Sequence, residues 1–265
     1  IVTMFQANWK SVARECGEVL GPEGVGYVQV SPPQESIQGT QWWTSYQPVS
    51  YKLDSKLGTE AEFKNMVQQC SAAGVGIIAD VVLNQTTGAD VAAGDQKGVA
   101  GSEYNGSTGS SPGFATKQYP DGITAADFHS CTKNISDYTN QKEVQECRLS
   151  SMWDFNSESE KVQDIQSDYL ASLWNAGVRG FRIAVGKLKV VDAGFQAQEG
   201  GADQIVPGPR SQVSGYVQFM GEPDASVHVQ NGRLAQEPEF RNPPGELVGG
   251  DGFAVNFRNP GGVVS

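Results

Sequence analysis

The sequence predicts an α/β fold: parallel strands linked by crossover helices, elaborated by one long insertion after the third strand and irregular in its C-terminal third. Three observations carry this. Strand-like and helix-like segments alternate over the first 80 residues, a stretch rich in Gly, Ser, Thr and Asn interrupts them at 84–150, and the alternation resumes near 160 before dissolving after 189.

Taken in order, VTMF reads as the first strand. Val12, Cys16, Val19 and Leu20 then share one helical face that Gly21 and Pro22 end, and Tyr27 to Val30 form the second strand. Thr59 and Glu62 have capping-box spacing, Phe63, Met66, Val67 and Cys70 follow at helical intervals, and Gly74 stops that helix. VGIIADVV is apolar on both faces, as a buried parallel strand must be. So long a break as 84–150 between two strands is a functional insertion rather than a linker, the mark of an elaborated barrel. Beyond it Val162, Ile165, Tyr169, Leu170, Leu173 and Trp174 line one helical face, Gly177 caps the helix, and VRGFRIAV is the fourth strand. After 189 the chain is rich in Gly and Pro with short apolar runs such as GYVQFM and DGFAVNF, too little for four regular β/α units. The expected parts are 1–83, the start of the barrel; 84–150, the inserted loop-rich domain; and 151–265, the remainder.

At 265 residues the chain can bury one substantial core. Its 38% hydrophobic and 18% charged residues are ordinary for a globular protein. A formal charge of -11 repels a phosphate backbone and an anionic bilayer, which argues against nucleic-acid and membrane partners. No run approaches the length of a membrane span, and Ile1 opens into a strand without a basic leader, so a mature, soluble chain is expected. Four cysteines, Cys16, Cys70, Cys131 and Cys147, include no CxxC pair and suit two disulfides, with three pairings open. Asn105 and Asn134 head N-glycosylation sequons in polar stretches, and Asn84 heads a third. Together these favour a secreted, extracellular glycoprotein.

GYVQVSPPQESIQGTQWWTSYQPVSYKL, ADVVLNQ and GFRIAVGKLK resemble the second strand with its cleft loop, the D-x-V-x-N-H motif and the G-F-R-[IL]-D-A-[AS]-K-H motif of the secreted α-amylases of glycoside hydrolase family 13. The resemblance is continuous over 1–189; beyond, only YVQFMGEP and FAVNFRN are similar to family segments. It implies a (β/α)8 barrel with its chemistry at the C-terminal ends of the strands. It also implies Cys16 paired with Cys70 and Cys131 with Cys147.

The same resemblance exposes departures. A retaining glycosidase needs a carboxylate nucleophile and a carboxylic acid about 5 to 5.5 Å apart across the sugar. Here Ala184 stands at the nucleophile position, Gln85 and Leu188 at two histidine positions, and Phe257 and Arg258 where a late motif has His-Asp, Arg258 at the third carboxylate. Phe219 replaces the acid if YVQFMGEP aligns without a gap; with a shift, Glu222 is the candidate. No catalytic set is intact. Trp42, Trp43, Tyr46 and Gln47, with Lys187, match carbohydrate-binding positions. Paired tryptophans are more often core, but the polar flanks QGTQ and TSYQP place these in a loop suited to stacking on sugar rings. Asn84, Gln145, Asp154 and Leu188 match the family's calcium ligands, side-chain oxygens from the first and third and backbone carbonyls from the others. Arg182 and Asn256 match chloride ligands of some members, against the plainer reading of a structural arginine. The expectation is a protein that binds an α-1,4-glucan or related oligosaccharide or polysaccharide, with hydrolysis lost. A working α-amylase with misassigned residues, or a storage or defence protein, are the alternatives. The oligomeric state is left open.

Overall fold

The computed structural model describes residues 1–184, and beyond them the backbone of four strands: Gly215–Met220, His228–Gln230, Arg233–Ala235 and Gly252–Phe257. Strand β1 (Val2–Met4) leads into helix α1 (Trp9–Glu15), where Asn8 Oδ1 accepts from the Ser11 amide as N-cap. The helix then widens into a single π-type turn, Cys16–Leu20, in which the Gly21 amide reaches the Cys16 carbonyl at 2.9 Å. That turn corrects the expected helical face. Cys16 and Leu20 stay buried, but the longer i→i+5 turn swings Val19 out to 41% exposure.

Strand β2 (Tyr27–Val30), helix α2 (Glu60–Ala72) and strand β3 (Gly76–Val82) complete the first units. Both halves of the α2 capping box form: the Glu62 amide donates to Thr59 Oγ1, and the Thr59 amide to Glu62 Oε2. Phe63, Met66, Val67 and Cys70 are all buried, and Gly74, at φ 79°, ends the helix in a left-handed conformation that favours glycine. A disulfide joins Cys16 to Cys70 and so ties α1 to α2.

Between β3 and the next sheet strand, β8 (Gly180–Ala184), the chain makes its excursion. It leaves through β4 (Gln85–Gly88), passes the short helix α3 (Ala89–Ala92) and the antiparallel pair β5 (Asp95–Lys97) and β6 (Glu103–Asn105), and returns through helix α4 (Gln141–Glu146) and β7 (Met152–Asp154). Strands β4 and β7 pair antiparallel, closing the root, and Cys131 is bonded to Cys147 within. Phe114, Ile123, Phe128 and Phe155 form a second core against Val162 and Ile165 of helix α5 (Glu160–Asn175). Glu35, fully buried, pins the excursion to the cleft loop: Oε1 accepts from the Ala100 and Ser102 amides at 2.9 and 3.0 Å, and Oε2 from Ser50 Oγ at 2.5 Å. A buried carboxylate is tolerated where every lone pair finds such a donor.

The main sheet runs β1-β2-β3-β8-β9-β12, with β9 (Gly215–Met220) and β12 (Gly252–Phe257) formed by two of the short apolar runs after 189. Neighbours are parallel from β1 to β9, while β12 runs antiparallel to β9. Strands β1, β2, β3, β8 and β9 therefore form an open portion of a parallel barrel sheet, with β12 added antiparallel at its edge. A separate antiparallel pair joins β10 (His228–Gln230) and β11 (Arg233–Ala235). The main core fills the space between the sheet and α1, α2 and α5, centred on Trp9, Phe63, Met66, Leu173 and Phe181.

Candidate active cleft

Parallel β/α order places the strand C-termini on one side of the sheet, and the cleft lies there. Thr3 and Phe5 from β1 and its exit, Gln29 and Ser31 from β2 and its exit, Asp80 from β3, and Arg182 and Ala184 from β8 line a cavity of about 920 Å³. The loop after β2 supplies one wall. It winds into a 3-10 turn at Trp42–Tyr46 that brings Trp42, Trp43, Tyr46 and Gln47 to the same cavity. Those four residues, expected from the family resemblance, thus share one surface with Ala184.

Asp80 holds the floor together. Its Oδ2 accepts from Arg182 Nη1 at 2.5 Å and from the Tyr46 hydroxyl at 2.7 Å, and Gln29 Nε2 approaches Oδ1 at 3.4 Å. Only 2% of Asp80 is exposed, and burial pushes its carboxyl above the usual carboxylate range against the pull of Arg182. Burial opposes the charge on Arg182, but Asp80 beside it more than compensates and holds it above its ordinary value. Burial, then the Asp80 charge, raises the Tyr46 hydroxyl as well, so it stays a neutral donor. Arg182 is therefore a structural partner of Asp80.

Ala184 ends β8 in register with Val82 and is buried, so a methyl group sits where the resemblance puts a nucleophile. Gln85 is fully buried, and its Nε2 donates to the Tyr46 carbonyl at 3.1 Å. Gln47 Oε1 accepts from Thr87 Oγ1 at 2.8 Å. Lys187, Leu188, Glu222 and Arg258 lie outside the described residues, and Phe219, Asn256 and Phe257 are described in backbone only. Sequence reasoning passed over Asp80, Gln29 and Phe5. For Asp80 a signal existed: it is the one carboxylate in an otherwise apolar buried run.

At the root of the excursion, Asn84 Nδ2 donates to Asp154 Oδ1 at 3.2 Å, joining two expected calcium ligands that lie far apart in sequence. Both are buried, and Asp154 Oδ2 lies 2.7 Å from His129 Nδ1. Gln145 sits half-buried on α4. Asp154 and Asn84 are residue types that supply the hard oxygens calcium takes; with the Asn84 amide nitrogen facing Asp154 here, holding the ion would require that amide to turn its oxygen inward. Among the sequons, Asn84 points into this root; Asn105 is half-buried, with Nδ2 donating to Asp95 Oδ1 at 2.7 Å; Asn134 is exposed and accepts from the Ser151 amide at 2.7 Å. Among the described residues, no helix is long and apolar enough to cross a membrane.

Comparison with known proteins bears on this arrangement. The α-amylase catalytic-domain family matches residues 28–223. An α-amylase of Streptomyces violaceus is 44% identical over 184 residues, 69% of this chain and 30% of that protein. An α-amylase-related protein of Drosophila ercepeae is 40% identical over 195 residues, 72% of this chain and 37% of that one. The crystal structure of α-amylase I from Eisenia fetida superposes with a TM-score of 0.64 at 34% identity, over 72% of this chain and 37% of that chain. The chain thus spans about a third of the length of these relatives. With the family match running from β2 to beyond β9, and the cleft built on the same strand ends, the chain belongs to the α-amylase catalytic-domain family.

Proposed function

We propose that this protein binds α-1,4-glucan oligosaccharides in the cleft and does not hydrolyse them. The observation that carries the reading is Ala184 at the end of β8, inside a cavity whose aromatic wall of Trp42, Trp43 and Tyr46 is complete. Covalent double displacement needs a carboxylate nucleophile facing a second acid across the bond. A methyl group cannot attack an anomeric carbon. The described carboxylates lining the cavity are Asp80, locked to Arg182 and Tyr46, and Asp90 on the exposed short helix α3. Aromatic faces, by contrast, need no acid to pack against the C–H face of a glucose ring. A mutant of the Eisenia fetida enzyme has been solved with maltohexaose, which supports a linear glucan as the ligand class. The reading extends to a calcium ion held by Asn84 and Asp154, whose role is to fix the excursion, and to an extracellular setting in keeping with two disulfides.

A reducing-sugar assay on soluble starch, run beside a tryptophan-fluorescence titration with maltoheptaose on the same preparation, tests both halves. Saturable quenching with hydrolysis at background is the expected result. Robust turnover by protein whose mass confirms Ala184 refutes the loss of hydrolysis, and an absence of any fluorescence response refutes the binding.

A further inference from the structure

The lining of the cleft says more about its ligand, on the footing of the glycan-binding reading. Phe5, Trp42 and Val91 are 53%, 56% and 47% exposed, and all three line the one cavity. Large apolar side chains gathered at the mouth of a concave site mark a ligand-binding surface. Phe5 is held there by its backbone. The next residue, Gln6, has φ 56°, a left-handed conformation uncommon for any residue with a side chain. Neighbours over-determine it: the Gln6 amide donates to Ser31 Oγ at 2.8 Å, and the Gln6 side chain lies 3.3 Å from Ser45 Oγ through both its amide nitrogen and its oxygen. This turn presents the Phe5 ring to Trp42, with centroids 5.8 Å apart and planes inclined by 56°, and Trp42 meets Tyr46 edge-on at 5.9 Å.

Met152 and Ala184 add further apolar surface to the wall. The polar groups beneath are largely engaged with one another, Asp80 with Arg182, Tyr46 and Gln29, and Gln47 with Thr87. Gln85 Oε1, in a fully buried side chain, has no hydrogen-bond partner. A buried acceptor without a donor is costly unless a ligand supplies one. A plain glucan presents hydroxyls around the whole edge of each ring and leaves much of the apolar wall unmatched. We propose that the preferred ligand is an amphiphilic glycoside, a short α-glucoside carrying an aromatic or alkyl aglycone. The aglycone lies on Phe5, Trp42 and Val91, and a sugar hydroxyl donates to Gln85 Oε1.

Isothermal titration of the full chain with maltose, 4-nitrophenyl α-maltoside and 4-nitrophenol tests this. The maltoside should bind at least about ten-fold more tightly than maltose, about 1.4 kcal/mol, and at least about ten-fold more tightly than 4-nitrophenol alone. Phe5→Ala should erase most of that advantage, weakening the maltoside far more than maltose while the melting temperature holds, since Phe5 is half exposed, and Phe5→Tyr should restore it. Equal affinity for maltose and the maltoside overturns the inference and leaves glucan binding intact. Equal affinity for 4-nitrophenol and the maltoside overturns it too, as does a full advantage retained by Phe5→Ala. If neither sugar binds, the glycan reading itself falls, and the inference with it.

Discussion

Asp80 is the residue through which the cleft floor is held in shape. One oxygen takes hydrogen bonds from a guanidinium and a phenol, and the whole group is out of water. Replacing a buried ion pair by well-packed apolar groups is often harmless, but removing one partner strands the other charge, at roughly 3 to 5 kcal/mol. Asp80→Asn is therefore expected to lower unfolding stability by about 3 kcal/mol, read as a fall in the urea midpoint. The double variant Asp80→Asn/Arg182→Gln should recover part of it, because no charge is then left unpaired. A midpoint unmoved in the single variant would show that water reaches the pair. Single residues differ in how far the sequence alone discloses their role. Trp42, Trp43, Tyr46 and Gln47 were legible through the family resemblance, with their polar flanks in support, and all four line the cavity. Asp80 was hidden because its meaning depends on Arg182, 102 residues away, and Phe5 because its exposure depends on the conformation of Gln6.

Elements were more legible than single contacts, since apolar spacing reports burial directly. The spacing of Phe63, Met66, Val67 and Cys70, and the Thr59/Glu62 box before them, gave α2 with its correct start. The failure at Val19 has a specific origin: a 3.6-residue period cannot anticipate one π-type turn. The α2 cap also makes a pH prediction. Glu62 lies below the usual carboxylate range, first through its hydrogen bond with Lys10, at 2.8 Å, and then through the Thr59 amide. A carboxyl whose folded pKa is depressed is protonated first in the unfolded chain. Its stabilisation is present above the ordinary glutamate pKa of about 4.3, and is lost as pH falls through the lower folded value. The melting temperature of the native chain should therefore fall more steeply below about pH 4.3 than that of Glu62→Gln, which lacks this titration. Parallel curves would refute the role of Glu62. Thr59→Ala should cost about 1 kcal/mol at neutral pH, with the loss read by thermal melting.

At the scale of the molecule, the long excursion has to be kept in place beside a cleft that depends on it. Its position after the third strand was legible as a break in the β/α rhythm; its internal pairing was not, because strands such as β4 and β7 are three or four residues long and carry no alternating pattern. Three devices fasten it: the β4–β7 pair, the second core shared with α5, and Glu35 on the 98–102 turn. The proposed calcium ion would be a fourth. Asn84 stands where the chain leaves the sheet and Asp154 where it returns, so an ion held by both closes the loop at its root. Because the two ligands come together only in the folded chain, calcium should stabilise by mass action, by about 2.7 kcal/mol at a hundred times its dissociation constant. Chelation should lower the melting temperature, calcium should restore it, and magnesium, which demands tighter octahedral geometry, should restore it poorly. Asp154→Asn should remove the calcium response, leaving its curve the same with and without chelator. A native melting curve indifferent to chelator would dispose of the ion and leave the excursion held by packing, pairing and Glu35 alone.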